Sequence, residues 1–205
     1  MQTKFFKSIY QMSSLKRSII IWVLFQFVLW LVFAINYYLN PEAWNIVSSE
    51  VQTTSTSVWG GFLYIIGMNS ILFFIIAIGN IFVRFGSITL GPIILLLQGI
   101  MIGYVAGTNS FEYPFVSVAE ANLQFLRVGL WETTAYALIC AVTMTKSLYI
   151  ADSFPAKKWA EVRSLRDLNF SLTEKVIVIV SIILLIIAAY IEAHLLYGEF
   201  FYNIF

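Results

Sequence analysis

The sequence predicts an all-α fold: an integral membrane helical bundle of about five transmembrane helices, N-terminus inside and C-terminus outside. Three observations carry this. Of 205 residues, 60% are hydrophobic and only 11% charged, with mean hydropathy +0.85, whereas a soluble domain carries about 25% charged residues. Five apolar runs each approach the ~20 residues that cross about 30 Å of hydrocarbon. Finally, the basic residues fall on alternate connections, the pattern that orients a multi-pass protein.

The runs are 18–39, 60–83, 88–106, 128–145 and 176–196. Lys4, Lys7, Lys16 and Arg17 precede the first, Arg84 lies in the tight turn between the second and third, and Lys146, Lys157, Lys158, Arg163, Arg166 and Lys175 lie between the fourth and fifth. With an odd number of spans, these eleven of the twelve Lys and Arg residues share one side, and Arg127 alone faces the other. The chain thus reads as a single transmembrane domain over 1–205, with a cytoplasmic N-terminal segment at 1–17 and a cytoplasmic connector at 146–175. The first run is too long for a leader and lacks a small-residue cleavage site, so it is expected to be retained.

The outer loops are acidic or polar, with Glu42 and Glu50 in the first, Glu112 and Glu120 in the second and Glu199 in the tail. Tyr37, Tyr38, Trp44, Trp59, Phe200, Phe201 and Tyr202 sit where interfacial aromatic belts are expected. The stretch 115–127 predicts a short helix lying on the outer surface or dipping into it. In the connector, Pro155 is a candidate helix start, Lys157 with Glu161 is an i,i+4 pair, and Ser171 with Glu174 is a capping box opening the last span.

Polar residues inside apolar runs mark candidate sites, because they are costly there. Asn69 and Asn80 lie in the second run, Gln98 in the third, Glu132 with Thr133 and Thr134 in the fourth, and Ser181, Glu192 and His194 in the fifth. Counting 1.5 Å per residue, Glu132 and Glu192 each fall ~6 Å below the outer boundary, and Asn69 and Gln98 ~12–13 Å below it. Two carboxylates, two amides and the one histidine are therefore expected to share the outer half of the bundle, near Arg127. Two uses suit this set: polar contacts that lock helices together, or a working site such as a cation or proton path or a head-group pocket. Glu132 is expected to be neutral or paired with Arg127. His194 is expected at the interface, and no metal site is assigned.

Packing has its own signal. Gly99, Gly103 and Gly107 repeat at every fourth position, a spacing that lets two helix backbones approach closely; Gly129 heads the fourth run. The partner of this ladder lies in the same chain or in a second copy, and a homo-oligomer is expected. Gly91-Pro92 is placed to kink or delay the third span.

Several classes are excluded. Cys140 is the only cysteine, so no disulfide framework or thiolate metal site forms within the chain. Asp152 and Asp167 both lie in the connector, which removes an intramembrane aspartyl dyad. There is no Gly-x-Ser-x-Gly, no His-Glu-x-x-His and no phosphate-cradling glycine loop. No enzymatic activity, cofactor or nucleic-acid partner is expected.

Three stretches carry a family resemblance: "GMNSILFFIIAIG" (67–79), "GPIILLLQGIMIGYVAG" (91–107) and the Gly129-x-x-Glu132 step of "VGLWETTAYALICA". A weaker fourth is "LLIIAAYIEAHLL" in the last run. In this order and spacing the chain resembles the stage II sporulation protein M family over about 60–196. Gln98-Gly99 stands where that family commonly has Asn-Gly, and Val128 where it often has His. The resemblance implies a small multi-pass prokaryotic membrane protein. It implies either an organiser that recruits a membrane-anchored cell-wall hydrolase or a component encoded beside ABC transporter subunits or in bacteriocin clusters. The expected function is accordingly a non-enzymatic scaffold or accessory subunit, held to a membrane-protein partner or an ABC transporter subunit through the glycine face and the basic connector. The alternative is a transport component built around a polar cavity at Glu132 and Glu192.

Overall fold

The structure is a computed structural model that describes residues 4–45, 57–111, 114–151 and 158–197, with side chains from Ser8 onward. Among the described residues, five helices are long and apolar enough to cross a membrane. A short helix α1 (Lys4–Gln11) leads into α2 (Ser14–Leu39), followed by α3 (Val58–Phe82), α4 (Leu90–Gly107), α5 (Val118–Thr143) and α6 (Leu172–Tyr197). All five expected spans are present. The protein is a membrane protein by the length and apolarity of these helices.

The fourth span differs most from expectation. It begins at Val118, ten residues earlier than its apolar run. The stretch expected as a separate surface helix is its first half, joined to the rest through a π-helical turn at Phe125–Gly129. Glu120, Asn122, Gln124 and Arg127 lowered the apolarity of that half without breaking its hydrogen-bond ladder. Ser117 caps the helix, its Oγ accepting from Glu120 N. Helix α5 is also the central one: 50% of its most apolar stretch is buried within the protein, against 28–33% for the others. It packs against α2, α3, α4 and α6, and its inner face is small, with Ala135, Ala137 and Ala141 fully buried.

A small sheet joins the helix ends and corrects the all-α expectation. Its strands are β1 (Val83–Phe85), β2 (Ile88–Thr89), β3 (Tyr149–Ala151) and β4 (Ala160–Glu161), in the order β2-β1-β3-β4. β1 runs antiparallel to β2 and parallel to β3, and β3 antiparallel to β4. The turn after β1 uses Gly86 at φ 57°, a conformation glycine adopts without steric cost. Gly86 N donates to Ala151 O at 2.7 Å, tying that turn to β3. The sheet places the ends of α3 and α5 and the start of α4 together. Residues 160–161 form a strand, because pairing with β3 supplies their backbone partners, so Glu161 of the expected i,i+4 pair stands on no helix; Pro155 and Lys157 lie outside the described residues.

Two polar clusters fasten this sheet end. Asn80 is fully buried: its Nδ2 donates to Cys140 O and Thr143 Oγ1, both at 2.9 Å, and its Oδ1 accepts from Thr89 Oγ1 at 2.5 Å. The second cluster centres on Glu174. Its carboxylate accepts from Lys146 Nζ at 2.8 Å, Ser14 Oγ at 3.2 Å and Ser171 N at 2.8 Å, with Arg17 Nη2 at 3.8 Å. Ser171 Oγ accepts in turn from Glu174 N, completing the expected capping box. Arg17 belongs to this interior and not to a segment before the first span: it is 2% exposed, and its Nε donates to Ala141 O at 2.6 Å.

The glycine ladder finds its partner within the chain. A Cβ at Gly103 would meet the carbonyl oxygen of Leu29, Val32 Cβ and Phe33 N; one at Gly107 would meet Phe33 O, Asn36 Cβ and Tyr37 N. The face is covered by α2, so it offers no surface to a second copy. Pro92 stands in the first turn of α4, where its missing N–H leaves no bond unmade, and α4 starts at Leu90. At the opposite end, Trp44 Nε1 donates to Gly107 O at 3.2 Å, and the Tyr197 ring lies over Gly61.

Candidate functional site

The polar residues of the inner helices converge where α3, α5 and α6 meet. Glu132 and Tyr136 stand one turn apart on α5, and the Tyr136 hydroxyl donates to Glu132 Oε1 at 2.7 Å. The Asn80–Cys140 bond fixes the relative height of α3 and α5. From it, Asn69 is eleven residues away along α3, about 16 Å, and Glu132 is eight residues away along α5, about 12 Å. The two side chains accordingly come into electrostatic reach of each other. Asn69 Nδ2 is buried and closes no hydrogen bond among the described residues. Glu192, from α6, lies within electrostatic reach of both Glu132 and Tyr136.

Small side chains make this meeting possible. Ala188, Ala189 and Ala193 on α6 are fully buried, as are Ala135 and Ala137 on α5. Side chains of this size allow the closer backbone approach that membrane helices use in place of a hydrophobic drive. The π turn lies just before Glu132, with the Phe125 ring packed where a Cβ at Gly129 would stand. Extra-residue turns of this kind recur beside functional sites.

Three of the expected site residues are therefore brought together: Glu132, Glu192 and Asn69. The others stand apart. Gln98 is half-buried on α4 and makes no hydrogen bond to that group among the described residues. His194 turns back on its own helix, Nδ1 lying 3.1 Å from Tyr190 O and its ring 4.2 Å from the Tyr190 ring. Arg127 is exposed, so the expected Arg127–Glu132 pair is replaced by the Tyr136 bond. The early start of α5 also moves Glu132 from ~6 Å to about 21 Å along its helix, fourteen residues from Val118.

Tyr136 is the member that sequence reading missed, although it lies four residues after Glu132 and so on the same helix face. Gln26 was missed too. Its Nε2 donates to Thr133 Oγ1 at 3.1 Å, while Trp22 Nε1 donates to Thr134 Oγ1 at 2.9 Å, so α2 pins the adjacent face of α5.

The electrostatic character of the site follows from what does not face it. Among the described residues, both ion pairs belong to Glu174, and neither Glu132 nor Glu192 pairs with a lysine, arginine or histidine. Two half-buried carboxyl groups, a phenol and an amide thus lie within electrostatic reach of one another, and among the described residues no protein cation pairs with the carboxyl groups. Oxygen donors in that number suit a proton or a hard cation. No protein-family model, curated protein or solved structure matches the chain.

Proposed function

We propose that the protein is a transport component of the membrane whose Glu132–Glu192 site takes up a cation, either a proton or a monovalent metal ion, as part of its working cycle. The supporting observation is the uncompensated carboxyl pair. Charge inside a bundle is expensive unless it is paired or neutralised, and among the described residues no basic side chain pairs with either carboxyl group. Intramembrane carboxyls of that kind mark ion and proton pathways. The resemblance to the stage II sporulation protein M family, carried by the residues of 60–196, agrees with an accessory subunit of such a system. Under the positive-inside rule, the basic residues support a cytoplasmic sheet end. The scaffold alternative loses one of its two proposed surfaces, because α2 covers the glycine ladder.

The test is cation-dependent stability of the purified full-length chain. Unfolding in detergent is followed across a pH series and across sodium and potassium titrations, for the wild type and for Glu132→Gln and Glu192→Gln. Either glutamine keeps the side-chain shape and removes the charge. The reading expects a pH- or cation-dependent midpoint in the wild type that both variants flatten. A wild type whose dependence the two variants reproduce in full overturns it.

A further inference from the structure

We infer that the connector from Lys158 to Leu172 is a docking surface for anionic phospholipid headgroups, lying against the leaflet at the sheet end of the bundle. Its large apolar side chains are not packed into the protein: Trp159 is 49% exposed, Val162 53%, Leu165 70% and Leu172 79%. Water-facing connectors do not gather such residues without something to cover them.

Position says what covers them. Trp159 stands edge-on to Phe82, ring centroids 5.6 Å apart, and Phe82 is the last residue of α3 and is itself 47% exposed on the bundle's outer side. Tyr149 completes the aromatic group, 5.8 Å from Phe82 and 6.2 Å from Trp159. At the other end of the connector, Leu172 is the first residue of α6. The segment is thus held at both ends at the height where membrane helices terminate. That is the depth at which tryptophan and tyrosine prefer to sit.

Charge identifies the lipid. Lys158, Arg163 and Arg166 of the connector carry three positive charges and Lys175, in the first turn of α6, a fourth, and none of them forms an ion pair among the described residues. Opposite them are Glu161 and Asp167, the latter accepting from Ser164 Oγ at 2.8 Å, while Glu174 is already taken by Lys146 and Arg17. Four against two leaves an excess of two positive charges on an apolar surface at the membrane boundary. Basic residues interleaved with bulky apolar ones are the composition of surfaces that insert beside anionic headgroups.

The test places a spin label on Leu165→Cys in a Cys140→Ala background, with the full chain in phosphatidylcholine vesicles with or without phosphatidylglycerol. A label on Leu97→Cys, a lipid-facing position of α4, sets the fully buried limit and reports folding. The expected result is that the label at 165 is shielded from a water-soluble nickel chelate and open to oxygen, more so with phosphatidylglycerol. The triple variant Lys158→Gln/Arg163→Gln/Arg166→Gln should abolish that gain, since three surface charges change partition by on the order of a hundredfold. Equal chelate access in both vesicle types, or a gain that survives the triple variant, overturns the proposal. The first of these outcomes would leave a soluble protein as the partner of the exposed side chains.

Discussion

Replacing Gly103 by alanine adds one methyl group, and the structure says where it must go. The new carbon would lie against the Leu29 carbonyl oxygen, 2.9 Å from Val32 Cβ and 3.1 Å from Phe33 N. Non-bonded carbons settle at about 3.5–4.0 Å, so α2 and α4 must part by about 0.6–1 Å. A gap of that size forfeits a quarter to a half of each contact's well along the seam. Two of the three obstacles are backbone atoms, which no rotamer change removes. The cost therefore belongs at the top of the usual overpacking range, ~3 kcal/mol, less about 1 kcal/mol gained because alanine favours a helix over glycine. The net expectation is ~2 kcal/mol of destabilisation. Gly67→Ala is the matched control: nothing lies within 4 Å of its Cβ position, so only the helix gain remains, about 1 kcal/mol of stabilisation. Two chemically identical substitutions should thus differ by ~3 kcal/mol in reversible unfolding by SDS in mixed micelles, with no dependence on protein concentration. If Gly103→Ala proves as stable as Gly67→Ala, or its effect vanishes on dilution, the intramolecular seam is wrong.

Three further outcomes are expected. Asn80→Ala removes three buried hydrogen bonds, at ~0.6 kcal/mol each by membrane-helix measurements and more with the void left behind, so the same titration should show a loss of ~2–4 kcal/mol. Glu174→Gln removes the only carboxylate that pairs, among the described residues, with the buried Arg17 guanidinium, whose remaining bonds go to Ala141 O, Met12 O and Ser14 Oγ; it should cost ~3 kcal/mol, and Arg17→Met should recover part of that in a double-mutant cycle. Tyr136→Phe removes the one hydroxyl that holds Glu132, so it should alter the cation dependence of unfolding while costing only about 1 kcal/mol at fixed conditions; identical dependence in wild type and variant would detach Tyr136 from the site.

What the sequence disclosed and what it hid divide by range of interaction. Spans are local quantities, and hydropathy found all five. The Ser171–Glu174 capping box was legible because its two members lie three residues apart. The sheet was not: its strands are two or three residues long, and β1 finds β3 more than sixty residues away. Only the turn at Gly86 left a local trace. Arg17 was placed before the membrane because its charge dominates a hydropathy window, whereas its fate is decided by the carbonyl of Ala141, on another helix. The polar cluster was half legible. Looking for polar residues inside apolar runs singled out Glu132, Glu192 and Asn69, but the depth counted for Glu132 was too shallow because α5 starts at Val118, and depth does not give azimuth, so Gln98, His194 and Arg127 were grouped with them although they stand apart.

The two polar centres of the bundle argue by contrast. Where this chain uses a carboxylate to hold helices together, at Glu174, it supplies Lys146, Arg17, Ser14 and a backbone N–H to meet it. That is the full set of partners a buried charge needs before its desolvation is offset. Glu132 receives one phenol and a neighbouring amide, and Glu192 receives another carboxyl group. Glutamine at either position would bridge helices with less electrostatic cost, and the chain already uses amides for that purpose at Asn80 and Gln26. Helix locking therefore explains Glu174 well and explains the Glu132–Glu192 pair poorly. The difference supports reading the pair as a place where a cation completes the site, and it makes the charge-removing glutamine variants, more than any truncation, the substitutions that decide between a structural and a working carboxylate.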